Sequence, residues 1–216
     1  MKYVALVAIG LIVLASPSYA QLSFGGGASA GLGFASFQKE ISDFYGFGFG
    51  FGAHGDLNIG KYVTVRLNFD YNIFPSNKDK LKDLIPANTV DAQTGQPINK
   101  ADITISGLNT SVFAISIDGM GKLPTGSPFT PYAIFGFGIN ILSLSDGSIA
   151  YKGQDAGQIK PGVESQTKFG LRFGAGSEFG LSKLLKLYTD FKYVIIFTKD
   201  SSNGYIPITF GITLTP

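Results

Sequence analysis

Between positions 62 and 74 the chain changes polarity at almost every residue. Val63, Val65, Leu67, Phe69, Tyr71 and Ile73 alternate with Tyr62, Thr64, Arg66, Asn68, Asp70 and Asn72. A helix would mix the two sets around its circumference, whereas an extended strand sends them to opposite faces. The period of two recurs at 185–197, where Leu185, Leu187, Phe191, Tyr193, Ile195 and Phe197 oppose Lys186, Tyr188, Asp190 and Lys192. The 29 glycines point the same way, since each would weaken a helix interior by about 0.5–1 kcal/mol relative to alanine.

Eight segments carry strand character: 22–36, 45–57, 62–74, 106–120, 130–143, 166–180, 184–197 and 205–215. Each reaches the roughly 9–11 residues that a tilted strand needs to cross a bilayer. Short connections at 58–61, 121–129 and 181–183 alternate with longer ones at 37–44, 75–105, 144–165 and 198–204. That alternation suits antiparallel neighbours joined by short turns at one end and long loops at the other. The longest connection holds Lys78, Asp79, Lys80, Lys82 and Asp83 before Leu84, Ile85 and Pro86, enough for one or two helical turns that the proline stops. Otherwise it reads as a solvated loop.

The N-terminus reads differently from the rest. Lys2, an apolar run over 3–15, and small residues at Ser18 and Ala20 form the pattern of a secretory signal cleaved between Ala20 and Gln21. The run falls short of the roughly 20 residues of a membrane-spanning helix. Residues 21–216 are then expected to form one exported domain, which without any cysteine must be held by packing and backbone pairing.

The direction of the apolar face decides between a soluble and a membrane protein. Hydrophobic residues make up 44% of the chain and charged residues only 15%, which is low in charge for a soluble domain. Phe47, Phe49 and Phe51 oppose Gly46, Gly48, Gly50 and Gly52, and Phe169, Leu171, Phe173 and Phe179 oppose Lys168, Gly170, Arg172, Gly174, Gly176 and Glu178. Glycine stabilises a solvated sheet face poorly. Inside a narrow barrel it leaves room for long side chains from other walls. A soluble lipocalin-type barrel would invert this arrangement, and a secreted β-sandwich is the competing fold. The expectation is therefore all-β: an eight-stranded antiparallel up-and-down transmembrane β-barrel, apolar outside and polar inside. Phe44, Tyr45, Tyr71, Phe74, Tyr193 and Phe197 would form an aromatic girdle at the long-loop end, and Phe24, Phe129 and Phe179 one at the short-turn end.

With these features, the run Gly46-Phe-Gly-Phe-Gly-Phe-Gly52 and the closing segment Tyr205-Ile-Pro-Ile-Thr-Phe-Gly-Ile212, the chain resembles small outer-membrane barrels of the OmpA/OmpX and opacity-protein type, particularly versions from Bacteroidetes-like bacteria. The resemblance spans residues 21–216. It implies a location in the outer membrane of a Gram-negative bacterium, contact with outer-membrane lipids, delivery by the barrel insertion machinery and long loops turned outward. Family members usually end in an aromatic residue, whereas this chain ends Leu214-Thr-Pro216.

The inward-facing charges are the candidate site. In a ring of eight the third and seventh strands face each other, so Arg66 and Asp70 would reach Asp190 and Lys192, with Arg172 and Glu178 on the neighbouring sixth strand. Buried charges of this kind should pair. Such a network either fills the bore structurally or gates a narrow pore for small solutes. His54, the sole histidine, points inward with Asp56 near the short-turn end, the wrong end for an enzyme acting on outer-leaflet lipid. No catalytic constellation emerges, no metal or other cofactor is expected, and the net charge of +2 speaks against a nucleic-acid partner. The functional expectation is a structural or surface-interaction barrel; its 75–105 loop reads first as solvated, with an extracellular ligand there as the alternative. A narrow pore is the alternative, and an outer-membrane lipid-modifying enzyme comes third.

Overall fold

The computed structural model describes residues 22–36, 44–86, 88–91, 95–162, 164–198 and 202–215. The proposed signal at 1–20, most of the 37–44 connection and Pro216 lie outside the described residues. Eight strands close into a ring: β1 (Leu22–Ser36), β2 (Phe47–Ile59), β3 (Val63–Phe74), β5 (Thr110–Lys122), β6 (Phe129–Leu144), β9 (Gln166–Gly180), β10 (Leu185–Phe197) and β11 (Ser202–Leu214). Every neighbouring pair is antiparallel, and the ring closes where β1 meets β11, from Gly26 opposite Leu214 to Ser36 opposite Gly204. Closure leaves no unpaired sheet edge, the condition for a β-structure to sit in hydrocarbon.

The period of two settles the faces. Phe24, Phe51, Phe135 and Phe210 are 59–69% exposed on the outer surface. The intervening residues, including Arg66, Asp118, Arg172, Asp190 and Lys192, are buried within the ring. Rings on adjacent strands touch across this coat: Phe137, Phe169 and Phe197 form a row with centroids 6.3 and 6.2 Å apart. Phe129 and Phe179 pair across β6 and β9 beside the short turns, as the girdle expectation has them.

The long connections contain more structure than expected. Strand β4 (Ile103–Gly107) pairs with β7 (Gly147–Tyr151), which pairs with β8 (Gln154–Ile159), so the connections after β3 and β6 fold together into a three-stranded sheet beyond the barrel. Ile103 and Ile105 are buried there, against a short helix α1 (Lys78–Asp83). Asn77 caps α1, its side chain accepting from the backbone N–H of Asp79 and Lys80. The barrel strand expected to begin at Ser106 begins instead at Thr110. Gly107 and Leu108 take positive φ values of 73° and 57°, which breaks the extended chain and separates β4 from β5. At the other end of the chain β11 starts at Ser202, earlier than expected, because its ladder with β10 runs on to Phe197 opposite Ser202.

Candidate functional site

The bore is packed in layers. Its middle holds an ion-pair network drawn from five strands. Arg66 on β3 donates to both oxygens of Asp56 on β2, at 2.7 and 2.9 Å, and its guanidinium lies 4.6 Å from the ring centre of Tyr188. It also reaches Asp190 on β10, across the ring, at 3.8 Å. Lys192 pairs with Asp190 at 3.3 Å and with Asp118 of β5 at 4.0 Å. Arg172 on β9 donates to Asp70 at 3.1 Å and stands 3.7 Å from Asp118. Tyr132 donates its hydroxyl to Asp190 at 2.5 Å.

Five of the six expected network residues therefore meet; Arg66 reaches Asp190 as anticipated, while the other pairings differ. Asp70 pairs with Arg172 instead of reaching β10. Glu178 sits apart, nearer the short turns, where it accepts from Lys122 at 2.8 Å and Lys186 at 3.4 Å. The connecting residue that sequence reasoning missed is Asp118, which links Arg172 to Lys192; Lys122 and Tyr132 were missed as well. All three occupy inward positions of the period-two pattern, but their pairings depend on the stagger between strands, which alternation does not encode.

His54 is buried, and its ring nitrogens lie 3.0 Å from the Thr213 hydroxyl and 3.2 Å from the Tyr188 hydroxyl. Asp56 is farther off at 3.8 Å. Arg66 and Asp56 bind chiefly to each other. Close approach by such side chains explains particular glycines. A Cβ on Gly211 would come within 2.5 Å of the Tyr188 ring, and one on Gly136 would run into Asp118 Oδ1.

Above the network, toward the long loops, the bore turns apolar. Phe74, Val112, Val194, Ile196 and Tyr205 form one buried cluster, with Ala35, Tyr45 and Leu142 packed against it. Two girdle assignments are corrected here. Phe74 is fully buried, since it shares the parity of Arg66 and Asp70 and faces inward, its ring 5.7 Å from that of Tyr205. Tyr45 packs against the same cluster and donates to the Leu108 carbonyl at 3.1 Å. Between this layer and the ion pairs remains a cavity of about 10 Å³ lined by Asp70, Arg172, Lys192, Tyr205 and Thr209, room for about one water. Below the network Met120, Tyr132 and Ile134 form a second, smaller apolar cluster.

A closed eight-stranded ring, coated in phenylalanine and filled with paired charges, defines a transmembrane barrel. The chain belongs to the family described as outer membrane protein beta-barrel domain, whose model matches residues 6–215. It is a protein of the Gram-negative outer membrane. Among solved structures it resembles Neisserial surface protein A (NspA), at 16% identity and a TM-score of 0.54 over 90% of this chain and 98% of that one. A major outer membrane protein from Thermus thermophilus is similar at 16% identity and a TM-score of 0.51, over 91% of this chain and all of the other, 100%. At such identities the likeness is one of fold. No curated protein matches the chain.

Proposed function

We propose that this protein is a closed structural barrel that presents its long loops at the cell surface and catalyses no reaction. The observation that carries this reading is the apolar layer of Phe74, Val112, Val194, Ile196 and Tyr205 lying across the bore above the ion pairs. An ion entering from either side would have to leave water at that layer, which is costly without a compensating partner. The network of Arg66, Asp70, Asp118, Arg172, Asp190 and Lys192 acts as structural filling, with Glu178 anchoring the short-turn end. The lone histidine is engaged on both nitrogens deep in the bore, away from outer-leaflet lipid. The folded sheet of β4, β7 and β8 gives the 75–105 connection a fixed surface on which to meet an extracellular ligand. Residues 1–20 serve as the export signal, and the insertion machinery places residues 21–216 in the membrane.

Single-channel recording in a planar bilayer tests the closed reading: the purified protein gives no conductance steps. Regular steps from the wild-type chain would replace it with the pore reading. An altered lipid A mass profile on deletion of the gene would replace it with the enzyme reading.

A further inference from the structure

The charges of the bore are unevenly distributed along its axis. In the central network three cations, Arg66, Arg172 and Lys192, face four carboxylates, Asp56, Asp70, Asp118 and Asp190. At the short-turn mouth three lysines, Lys61, Lys122 and Lys186, line a hollow of about 240 Å³ with one carboxylate, Glu178. Even when the central surplus is set against the mouth, the column keeps six cations for five carboxylates.

Glu178 cannot neutralise its neighbours. One of its oxygens accepts from Lys122 and the other from Lys186, so both are engaged, while each ammonium has three N–H donors and spends one here. The Lys122 and Glu178 side chains are only 7% and 4% exposed, whereas Lys186 is 30% exposed and Lys61 lies exposed at the rim, so the shortfall of partners falls chiefly on Lys122. Other polar groups converge on the same hollow: Asn58, Thr130 and Thr215 line it, and the buried Thr215 hydroxyl oxygen has no hydrogen-bond partner among the described residues. The hollow opens among the short turns, where Gly60, Lys61 and Pro124 line it and which carry exposed Tyr62, Leu123, Leu181 and Leu184 suited to the level of lipid headgroups.

We propose that this vestibule binds a phosphate group, held by Lys122 and Lys186 with Lys61 at the rim, the Thr130 hydroxyl donating to its oxygens and the covered Thr215 hydroxyl turning about its Cα–Cβ bond to join them. Phosphate fits better than carboxylate because the donors are point-charge ammoniums and hydroxyls, with no arginine fork among them to match a planar carboxylate. The volume suits a small anion or a headgroup and is below the usual range of larger ligand pockets, about 300–1,000 Å³. Free phosphate and the phosphodiester of an inner-leaflet lipid share this chemistry.

The test uses the folded protein in a sugar-headgroup detergent, titrated with inorganic phosphate at constant ionic strength and followed by amide shifts in NMR. Saturable shifts at Gly60, Thr130 and Thr215 are expected. Lys186→Gln, which keeps the Lys122–Glu178 pair and hence the fold, should weaken binding about tenfold, the loss of one charge-assisted hydrogen bond. Lys183→Gln, on an exposed lysine of the same turn outside the hollow, should leave it unchanged. A parallel titration with short-chain phosphatidylglycerol separates the sources: competition with phosphate supports one site open to both, and saturation by the lipid alone assigns the site to headgroups. Shifts that never saturate with either probe, or equal weakening by both variants, would overturn the proposal in favour of diffuse attraction between charges.

Discussion

Arg66 grips Asp56 with two parallel hydrogen bonds, at 2.7 and 2.9 Å, from directly opposite it on the neighbouring strand. Both residues are almost wholly buried, so neither charge has water to fall back on. Replacing Arg66 by methionine strands Asp56, and should cost about 3–5 kcal/mol of stability, measured by urea unfolding in lipid vesicles. Replacing Asp56 by asparagine in the same chain should recover most of that loss, because the stranded charge goes with it. An additive double variant would mean that the two residues are not coupled.

The glycines of the inner wall make a second prediction. Gly136→Ala and Gly211→Ala each drive a methyl group into a packed side chain, Asp118 or Tyr188, and should destabilise the barrel by about 1–3 kcal/mol. Gly119→Ala, on the outer face with its nearest neighbour at 3.6 Å, should change stability by no more than about 0.5 kcal/mol. The three unfolding midpoints, compared in one lipid, check the contrast.

Much of this was legible in the sequence because a barrel wall repeats one instruction. Alternation over β3 and β10 assigns each side chain to lipid or bore, and the length pattern of the connections orders the strands. Phe74 shows where aromatic character misleads: its parity is that of Arg66, and the position of an aromatic near a strand end does not override parity. The pairings of Asp118 and Glu178 stayed hidden because they follow from stagger around the ring, a property of closure and not of any one strand. The sheet of β4, β7 and β8 was missed for a local reason. Its strands β4 and β7 are five residues each, and the break that separates β4 from β5 lies in the left-handed backbone at Gly107 and Leu108, which a period-two pattern does not encode.

The layered bore also predicts how conductance would have to be created. Arg66→Ala alone should remain silent in a planar bilayer, because Phe74 and Tyr205 still close the long-loop end. Phe74→Ala with Tyr205→Ala should also remain silent, since the ion pairs beneath are intact. Only the triple replacement is expected to give steps. Steps from Arg66→Ala by itself would make the ion pairs the sole barrier.

The orientation of the rings underlies every one of these statements, and the chain is well suited to a direct reading because it contains no tryptophan. Phe135→Trp, on a residue 64% exposed, and Phe74→Trp, on one 0% exposed, each introduce a single fluorophore in place of another large aromatic. In vesicles of brominated lipid the tryptophan at 135 should be strongly quenched and the one at 74 left bright. Equal quenching at both positions, or quenching at 74 alone, would contradict a barrel that turns its phenylalanine coat to hydrocarbon and keeps Phe74 inside.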